Sequence, residues 1–316
     1  QLSEQLVEVD LFATGAVFNT GHEIRISISG AMNGAYTPAE EPFTALVSNN
    51  LAFPSLVTLP VLSGLSPEII GADFHILDGR HGFVLRATNP EETDGKPELC
   101  RRIGEMAADV LASFHMVNPD DVDLGDLGRP EGFVERQVAG WTKRWDAAVD
   151  KSSPDASAVI AWIEADIPTA QATTFVHNDY KLDNIMVARD DPARAVAVLD
   201  WDMCTRGDPL LDLANLVIYW SEESDSALWR MAVYIPTDKP GFPSRAELVE
   251  RYAHKTGFDV SRFGWYEIFG TFKVAVILQQ IYIRYLRGQT QDERFAILGQ
   301  RVNALIRKCE ELIARG

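Results

Sequence analysis

The stretch FVHNDYKLDNIMV (175–187) places His177, Asp179, Lys181 and Asn184 between two apolar runs. A carboxylate in such a loop can accept a proton, and the lysine and the amide beside it can bind anions or a cation. The same residue types also suit a plain turn, in which Asp and Asn satisfy local backbone groups and the lysine is a solvated charge. Taken alone, this polar loop (residues 177–184) is compatible with both interpretations.

A second acidic position favours the chemical interpretation. The run AVAVLDWDM contains Asp200, sixteen residues after Asn184 and at the end of another predicted apolar strand. If strands 185–188 and 196–199 pair as a hairpin around the turn RDDPARA, Asn184 and Asp200 face one point. An amide oxygen and a carboxylate suit a hard cation such as Mg²⁺, which keeps several waters and takes few protein ligands. Asp179 then lies at the mouth of the same site, free to accept a proton from a hydroxyl.

This combination is what phosphoryl transfer requires. The protein has to position the nucleophile and neutralise charge with a metal, and little covalent chemistry falls to its side chains. The order His-x-Asp-x-Lys-x-x-Asn, followed by a downstream Asp, is typical of the catalytic segments of protein-kinase-like enzymes. In that arrangement Lys181, two residues after Asp179, can reach the transferring phosphate. We therefore interpret the polar loop and Asp200 as parts of one catalytic site.

The segment RGDPLLDLANLVIYW supplies a helix directly after this site. Asp208 is predicted as its N-cap and Pro209 as its first helical residue. Asp212 lies one turn into the helix, where an acid can simply be favoured by the helix dipole. It could equally anchor the backbone of the polar loop, and the sequence leaves both roles open.

The elements that position these residues follow from periodicity. Before residue 96 the chain has short β-prone runs separated by Gly, Asn and Pro: EIRISISG, FTALVSN, SLVTLPVL, DFHIL and GFVLR. Apolar spacings of three and four then predict helices after Pro97 and over 134–149, 155–165, 245–256, 269–286 and 293–316. The sequence thus predicts an α+β protein with a sheet-rich lobe (residues 1–82) and a mostly helical lobe (residues 83–316).

Composition excludes several classes of function. The 316 residues carry a net charge of −17, which argues against nucleic-acid binding, because phosphate backbones require an excess of Lys and Arg. The most apolar late segment is interrupted by Lys273, Gln279, Gln280 and Arg284, so it predicts a buried helix and no membrane interaction. Three widely spaced cysteines and an N-terminal run without a signal-peptide pattern favour the cytoplasm.

Aromatic and histidine residues near the predicted site have two possible roles. His115 is expected to be a core or capping histidine. Four aromatic residues could line a substrate cleft, although packing in the core is the simpler expectation: Trp141, Trp145, Tyr219 and Trp220.

The chain resembles the aminoglycoside phosphotransferase superfamily, in a branch related to the kinase-like domain joined to some acyl-CoA dehydrogenases. The segments that carry the resemblance include FVHNDYKLDNIMV, VAVLDWDMCTRGDPLLDLANL and FKVAVILQQIYIRYLRGQ. It implies a bilobal protein-kinase-like fold, ATP or GTP with Mg²⁺, and a small-molecule hydroxyl as acceptor. It also implies Asp179 as base, Asn184 and Asp200 as metal ligands, and His177 as an organiser of the loop. Asn178 stands where glycine is usual in this branch.

The nucleotide-binding residues are harder to assign. The resemblance implies a Gly-rich loop and a strand with Lys or Arg, yet the first 95 residues contain no lysine. Arg25, Gly30 and Gly34 are the candidates for nucleotide binding. Arg86, paired with Glu105, is an alternative, unless the stretch DFHILDGRHGFVLR connects the two lobes and Arg86 is a surface or substrate-side residue.

The sequence leads to an ATP-dependent small-molecule kinase, with a hydroxyacyl thioester as the first acceptor to consider. An aminoglycoside or other antibiotic is an alternative acceptor. A kinase-like binding or regulatory protein with little turnover is the alternative from another class. The oligomeric state is left open.

Overall fold

The structure is a computed structural model that describes most of the chain after residue 89. The described residues are 46–47, 57–58, 82–86, 90–232 and 235–315. The chain divides into two compact units, residues 1–81 and 82–316. Strands and helices are both present, and helices dominate the larger unit. The predicted α+β class is confirmed.

In the smaller unit the structure describes one pair of strands. β1 (Leu46–Val47) and β2 (Val57–Thr58) pair antiparallel, with Leu46 opposite Thr58. They lie in the predicted β-prone runs FTALVSN and SLVTLPVL. The runs EIRISISG and DFHIL lie outside the described residues.

Short antiparallel strands form the sheets of the larger unit. They are β3 (Phe83–Val84), β4 (Thr174–Val176), β5 (Ile185–Val187), β6 (Ala195–Val198) and β7 (Thr205–Gly207). β5 is the middle strand between β3 and β6, and β4 pairs with β7. The predicted hairpin around the turn RDDPARA is confirmed as β5–β6, although β6 ends two residues before Asp200.

The helices of the larger unit largely follow the periodicity of the sequence. They are α1 (Pro97–His115), α2 (Phe133–Ala148), α3 (Ser157–Ala165), α4 (Leu210–Ile218), α5 (Ala227–Ala232), α6 (Arg245–Thr256), α7 (Phe263–Leu286) and α8 (Leu298–Arg315). α4 begins at Leu210, one residue later than predicted, but the Asp208 carboxylate still accepts a hydrogen bond from Leu210 N at 3.0 Å. The side chain of Asp208 therefore satisfies one of the free amides of the first turn.

α7 is the central helix of the hydrophobic core. It packs against α2, α4 and α8. Its apolar residues include Phe269 and Phe272, each 1% exposed, and burial of a side chain of this size stabilises the fold by about 1.5–3 kcal/mol. The prediction of a buried helix is confirmed. None of the helices in the described part of the chain is long and apolar enough to cross a membrane.

α4 is buried along its whole length, including the polar residues Asp212 and Asn215. Polar groups in a protein interior are stable only when they are hydrogen-bonded. Both side chains reach the polar loop, and α4 therefore connects the core to the candidate site.

Candidate active site

The β5–β6 hairpin brings Asn184 close to the position of Asp200. Ile185 lies opposite Val198, and Leu199 N donates to Asn184 O at 2.8 Å. Asn184 is therefore beside Leu199, the residue that precedes Asp200. The proximity predicted from the two apolar runs follows from this register.

Asp179 is held by the side chains of Lys181 and Asn184. Lys181 Nζ lies 2.6 Å from Asp179 Oδ2 and 2.7 Å from Oδ1. Asn184 Nδ2 donates to Asp179 Oδ2 at 3.0 Å and to Asp179 O at 2.8 Å. The Asp179 side chain retains 28% of its exposure, so its carboxylate is fixed but still accessible to a small molecule.

His177 joins the polar loop to the end of β6. Its ring is fully buried, and Nε2 lies 2.8 Å from Leu199 O while Nδ1 accepts from Asp179 N at 3.3 Å. A carbonyl can only accept, so Nε2 carries the proton and Nδ1 is the acceptor. With both nitrogens engaged in this way, the imidazole acts as a structural bridge between Asp179 and the residue before Asp200.

Asp212 anchors the backbone at the start of the polar loop. Its carboxylate accepts hydrogen bonds from His177 N and from Asn178 N, the latter at 2.7 Å. His115 Nε2 lies 3.3 Å from the same carboxylate, and His115 Nδ1 lies 2.6 Å from the Tyr252 hydroxyl. Of the two roles left open for Asp212, the structure shows the anchoring one. His115 is a buried core histidine, as expected.

Asn178 adopts a left-handed backbone conformation, with φ 65°. Its carbonyl accepts from Asn215 Nδ2 at 2.9 Å and from Lys273 Nζ at 3.0 Å. Its own side chain donates to Met203 O at 2.8 Å. Asparagine is among the few residues that tolerate this conformation, which explains how it can occupy a position where the resemblance implies glycine.

Asp200 stands at the end of the hairpin with φ 68°. Burial of part of its carboxylate raises its pKa, and so do repulsion from Asp202 and Asp179 and a hydrogen bond with Asp202, while Lys181 opposes the shift. Several carboxylates thus converge with little compensating charge. A bound cation would relieve that repulsion, so the electrostatics fit a metal at Asp200.

The donor set also fits a cation with few protein ligands. Because Asn184 Nδ2 is directed at Asp179, the remaining side-chain atom, Oδ1, is available for a metal. Among the described residues no three His, Cys, Asp or Glu side chains form a metal-binding cluster. Together with Asp200, Asn184 would supply two oxygen ligands, which suits Mg²⁺.

Aromatic side chains surround the site. Trp201 is 41% exposed, and its ring lies 4.7 Å from that of His177 and 4.9 Å from that of Phe114. Tyr219 is half-buried, and Lys181 Nζ lies 5.2 Å from the centre of its ring. The expectation of core packing is met by Trp141, Trp145 and Trp220, each at most 8% exposed.

The residues considered for nucleotide binding have different outcomes. Arg25, Gly30 and Gly34 lie outside the described residues. Arg86 is exposed. Burial raises the pKa of Asp183, and the attraction of Lys181 and Arg86 opposes that shift. Glu105 forms ion pairs with Arg101 at 2.9 Å and with Arg251 at 3.5 Å.

Sequence reasoning missed two residues that contact the polar loop, Asn215 and Lys273. Both carried a signal, because each is a polar residue inside an otherwise apolar helix. Lys273 interrupts the apolar segment, and a lysine in a core helix almost always has a partner. The partner was not identifiable, because Asn178 is distant in sequence.

Three comparisons place the chain among known proteins. Residues 37–265 match the model of a family described as "Phosphotransferase enzyme family". The mouse acyl-CoA dehydrogenase family member 11 is 30% identical over 247 residues, which cover 77% of this chain and 31% of the mouse protein. The mouse family member 10 is 31% identical over 239 residues, which cover 75% of this chain and 22% of that protein. The chain therefore spans a third or less of these relatives.

A solved structure from Ralstonia eutropha is similar over most of the fold. That protein, provisionally described as an aminoglycoside phosphotransferase, shares 28% identity with this chain and superposes with a TM-score of 0.66. The match covers 75% of this chain and 72% of the other.

Proposed function

Because the chain belongs to the phosphotransferase enzyme family, we propose that it transfers the terminal phosphoryl group of ATP to a hydroxyl of a small molecule, with Mg²⁺ as the metal. Its fold is the kinase-like fold predicted from the sequence. The observation that carries the proposal is the accessible Asp179 carboxylate, held by Lys181 and Asn184 beside the end of the β5–β6 hairpin. GTP is the alternative phosphoryl donor.

Each residue has a defined part in this proposal. Asp179 accepts the proton of the acceptor hydroxyl as that oxygen attacks the terminal phosphorus. Lys181, whose ammonium lies against Asp179, is close enough to the same reaction centre to balance negative charge on the phosphoryl group. Asn184 Oδ1 and the Asp200 carboxylate would hold Mg²⁺, which neutralises phosphate charge when bound. His177 keeps Asp179 and the end of β6 in a fixed relation.

The acceptor we propose first is a hydroxyacyl thioester or a related hydroxylated metabolite. The support is similarity to proteins named acyl-CoA dehydrogenase family members 10 and 11, at 30–31% identity. An aminoglycoside is the second candidate, supported by the description of the Ralstonia eutropha protein. Arg25, Gly30 and Gly34 remain the proposed nucleotide-binding residues, and we propose a cytoplasmic location.

The test is release of ADP from MgATP by the purified protein, with a panel of hydroxyacyl thioesters, free hydroxy acids and aminoglycosides. We expect one acceptor class to stimulate release, and Asp179→Asn to lower kcat by about 10²–10⁴ because the base is lost. Asp190→Asn is the matched control, since Asp190 lies in the hairpin turn, 78% exposed, and pairs only with Arg194 among the described residues. Full activity of Asp179→Asn would overturn the assignment of the base.

A binding or regulatory protein is the second candidate function. The observation that favours it is the lack of lysine in the first 95 residues, where such enzymes usually bind phosphates. Calorimetry with MgATP separates the two functions. Binding of ATP without turnover for any acceptor supports regulation, whereas absence of nucleotide binding contradicts the kinase.

A further inference from the structure

Lys273 is a cation placed inside the core helix α7. Its ammonium has a single hydrogen-bond acceptor within the described part of the chain, Asn178 O at 3.0 Å, and it lies 5.5 Å from the centre of the Trp141 ring. Burial lowers its pKa, and attraction by Asp212 and Asp179 opposes that shift. Lys273 is half-buried, so its ammonium loses part of its hydration, and an apolar residue would pack in α7 without this cost. The position therefore calls for a reason other than stability.

The contact lies one peptide away from Asp179. Asn178 O accepts hydrogen bonds from the side chains of Lys273 and Asn215. At the other end of the same peptide group, Asp179 N donates to His177 Nδ1 at 3.3 Å. The peptide plane between Asn178 and Asp179 is therefore held at both ends. Since this plane is attached to the Cα of Asp179, its tilt contributes to the direction of the carboxylate, together with the two side chains that contact the carboxylate directly.

Lys273 also differs from Asn215 in the kind of hydrogen bond that it gives. A hydrogen bond from a charged donor is roughly twice as strong as one between neutral groups. Its charge is balanced by Asp212, the same carboxylate that accepts from His177 N and Asn178 N. Asp212 thus holds two amide groups of this short segment, and Lys273 holds one of its carbonyls.

We infer that Lys273 is a positioning residue of the phosphotransfer site: by holding the Asn178 carbonyl it fixes the orientation of the Asp179 carboxylate. The effect on turnover rests on the function proposed above. The effect on the loop does not, because it follows from the hydrogen bonds alone. The two consequences can be measured separately.

The first measurement is amide hydrogen exchange of the full chain, which requires neither nucleotide nor acceptor. Lys273→Met keeps an apolar chain of similar length against Trp141 and removes the donor. We expect the amides of residues 177–180 to exchange about tenfold faster, because this segment opens more easily once one of its anchors is lost. Lys273→Arg retains a cationic donor and is expected to restore most of the protection.

Gln279→Met is the matched control. Gln279 is a buried donor on α7, and its Nε2 donates to Ala148 O at 2.9 Å and to Ser153 Oγ at 3.0 Å, away from the polar loop. We expect this change to loosen the segment around residue 148 and to leave residues 177–180 protected. Equal exchange of residues 177–180 in Lys273→Met and wild type, or equal loosening by Gln279→Met, would overturn the inference.

The second measurement is turnover, with the acceptor from the panel or, failing that, slow release of ADP with water as acceptor. A misdirected base is expected to lower kcat by about 10²-fold while KM for MgATP stays within about twofold, because positioning acts on the chemical step. Loss of loop protection without any phosphotransfer in the wild type would sustain the positioning role and contradict the proposed function. If Lys273→Met does not fold, Lys273→Gln, a neutral donor, is measured instead and is expected to give faster exchange than wild type.

Discussion

Asn178 illustrates how one side chain can compensate for backbone strain at a functional loop. Its φ of 65° is a conformation in which most L-amino acids are strained, and its amide Nδ2 is bonded to Met203 O at 2.8 Å. Glycine would relieve the strain but could not make this bond. The residue therefore combines a tolerated left-handed backbone with a tether to the segment after Asp200.

A pair of substitutions separates these two contributions. Both Asn178→Gly and Asn178→Ala remove the bond to Met203, but only alanine keeps a Cβ in the left-handed region. We expect Asn178→Ala to lower the free energy of unfolding by about 1–2 kcal/mol more than Asn178→Gly does. Urea denaturation measures both. Equal losses for the two variants would show that the backbone relaxes out of this conformation.

At the scale of the elements, α4 acts as the support of the polar loop. Asp212 and Asn215 are three residues apart, so they lie on the same face of the helix and reach consecutive residues of the loop. Asp212 accepts from His177 N and Asn178 N, and Asn215 donates to Asn178 O. The position of the loop is thus set by the register of a fully buried helix.

We expect Asp212→Asn to lower the free energy of unfolding by about 2–3 kcal/mol. The new side-chain NH₂ group would face one of the two backbone N–H groups, which would then have no acceptor. Asp208→Asn is the matched control at the start of the same helix. Burial raises the pKa of Asp208, so a neutral side chain is better tolerated there, and asparagine keeps an oxygen for Leu210 N. Urea unfolding followed by circular dichroism compares them, and a smaller loss for Asp212→Asn would contradict the anchoring role.

At the scale of the whole molecule, an ion pair between α1 and α6 makes stability depend on pH. Hydrogen bonds from Arg101 and from the Ser244 backbone lower the pKa of Glu247 to about 2. The unfolded value is about 4.3. Since the folded value is the lower one, the stabilisation is complete above pH ~5 and is lost as the pH falls toward ~2.

Glu247→Gln should therefore lower the free energy of unfolding near neutral pH. Its difference from the wild-type free energy of unfolding should decrease as the pH falls from ~5 to ~2. Glu250→Gln is the control, because Glu250 is exposed and has no ion pair among the described residues. Urea midpoints measured at several pH values provide the comparison. A difference that stays constant with pH would indicate that packing, and not the charge of Glu247, is responsible.

The sequence was most informative where a pattern is local. Periods of three and four predicted α1, α2, α6, α7 and α8, and two apolar runs that end in polar residues predicted the β5–β6 hairpin. The proximity of Asn184 to the position of Asp200 followed from that hairpin, because pairing of the two strands brings Asn184 beside Leu199.

Features that depend on long-range contacts could not be predicted. β7 has the sequence TRG, too short and too polar for an alternating pattern, and it exists because β4 is its partner. The ends of the two strands predicted for the β5–β6 hairpin were wrong by at most one residue, and β6 ends shortly before the backbone turns at Asp200 with φ 68°. Lys273 is 95 positions from Asn178, and no local pattern indicates which loop a lysine in a core helix contacts.

The exposure of Trp201 gives the site an optical consequence. Trp145, Trp220 and Trp229 are at most 4% exposed, whereas Trp201 is 41% exposed and directly follows Asp200. A water-soluble quencher therefore collides with the Trp201 indole and reduces its fluorescence more than that of those buried indoles. If a ligand bound beside Asp200 covers Trp201, quenching of Trp201 decreases, so tryptophan emission would detect that binding without a label attached to the protein.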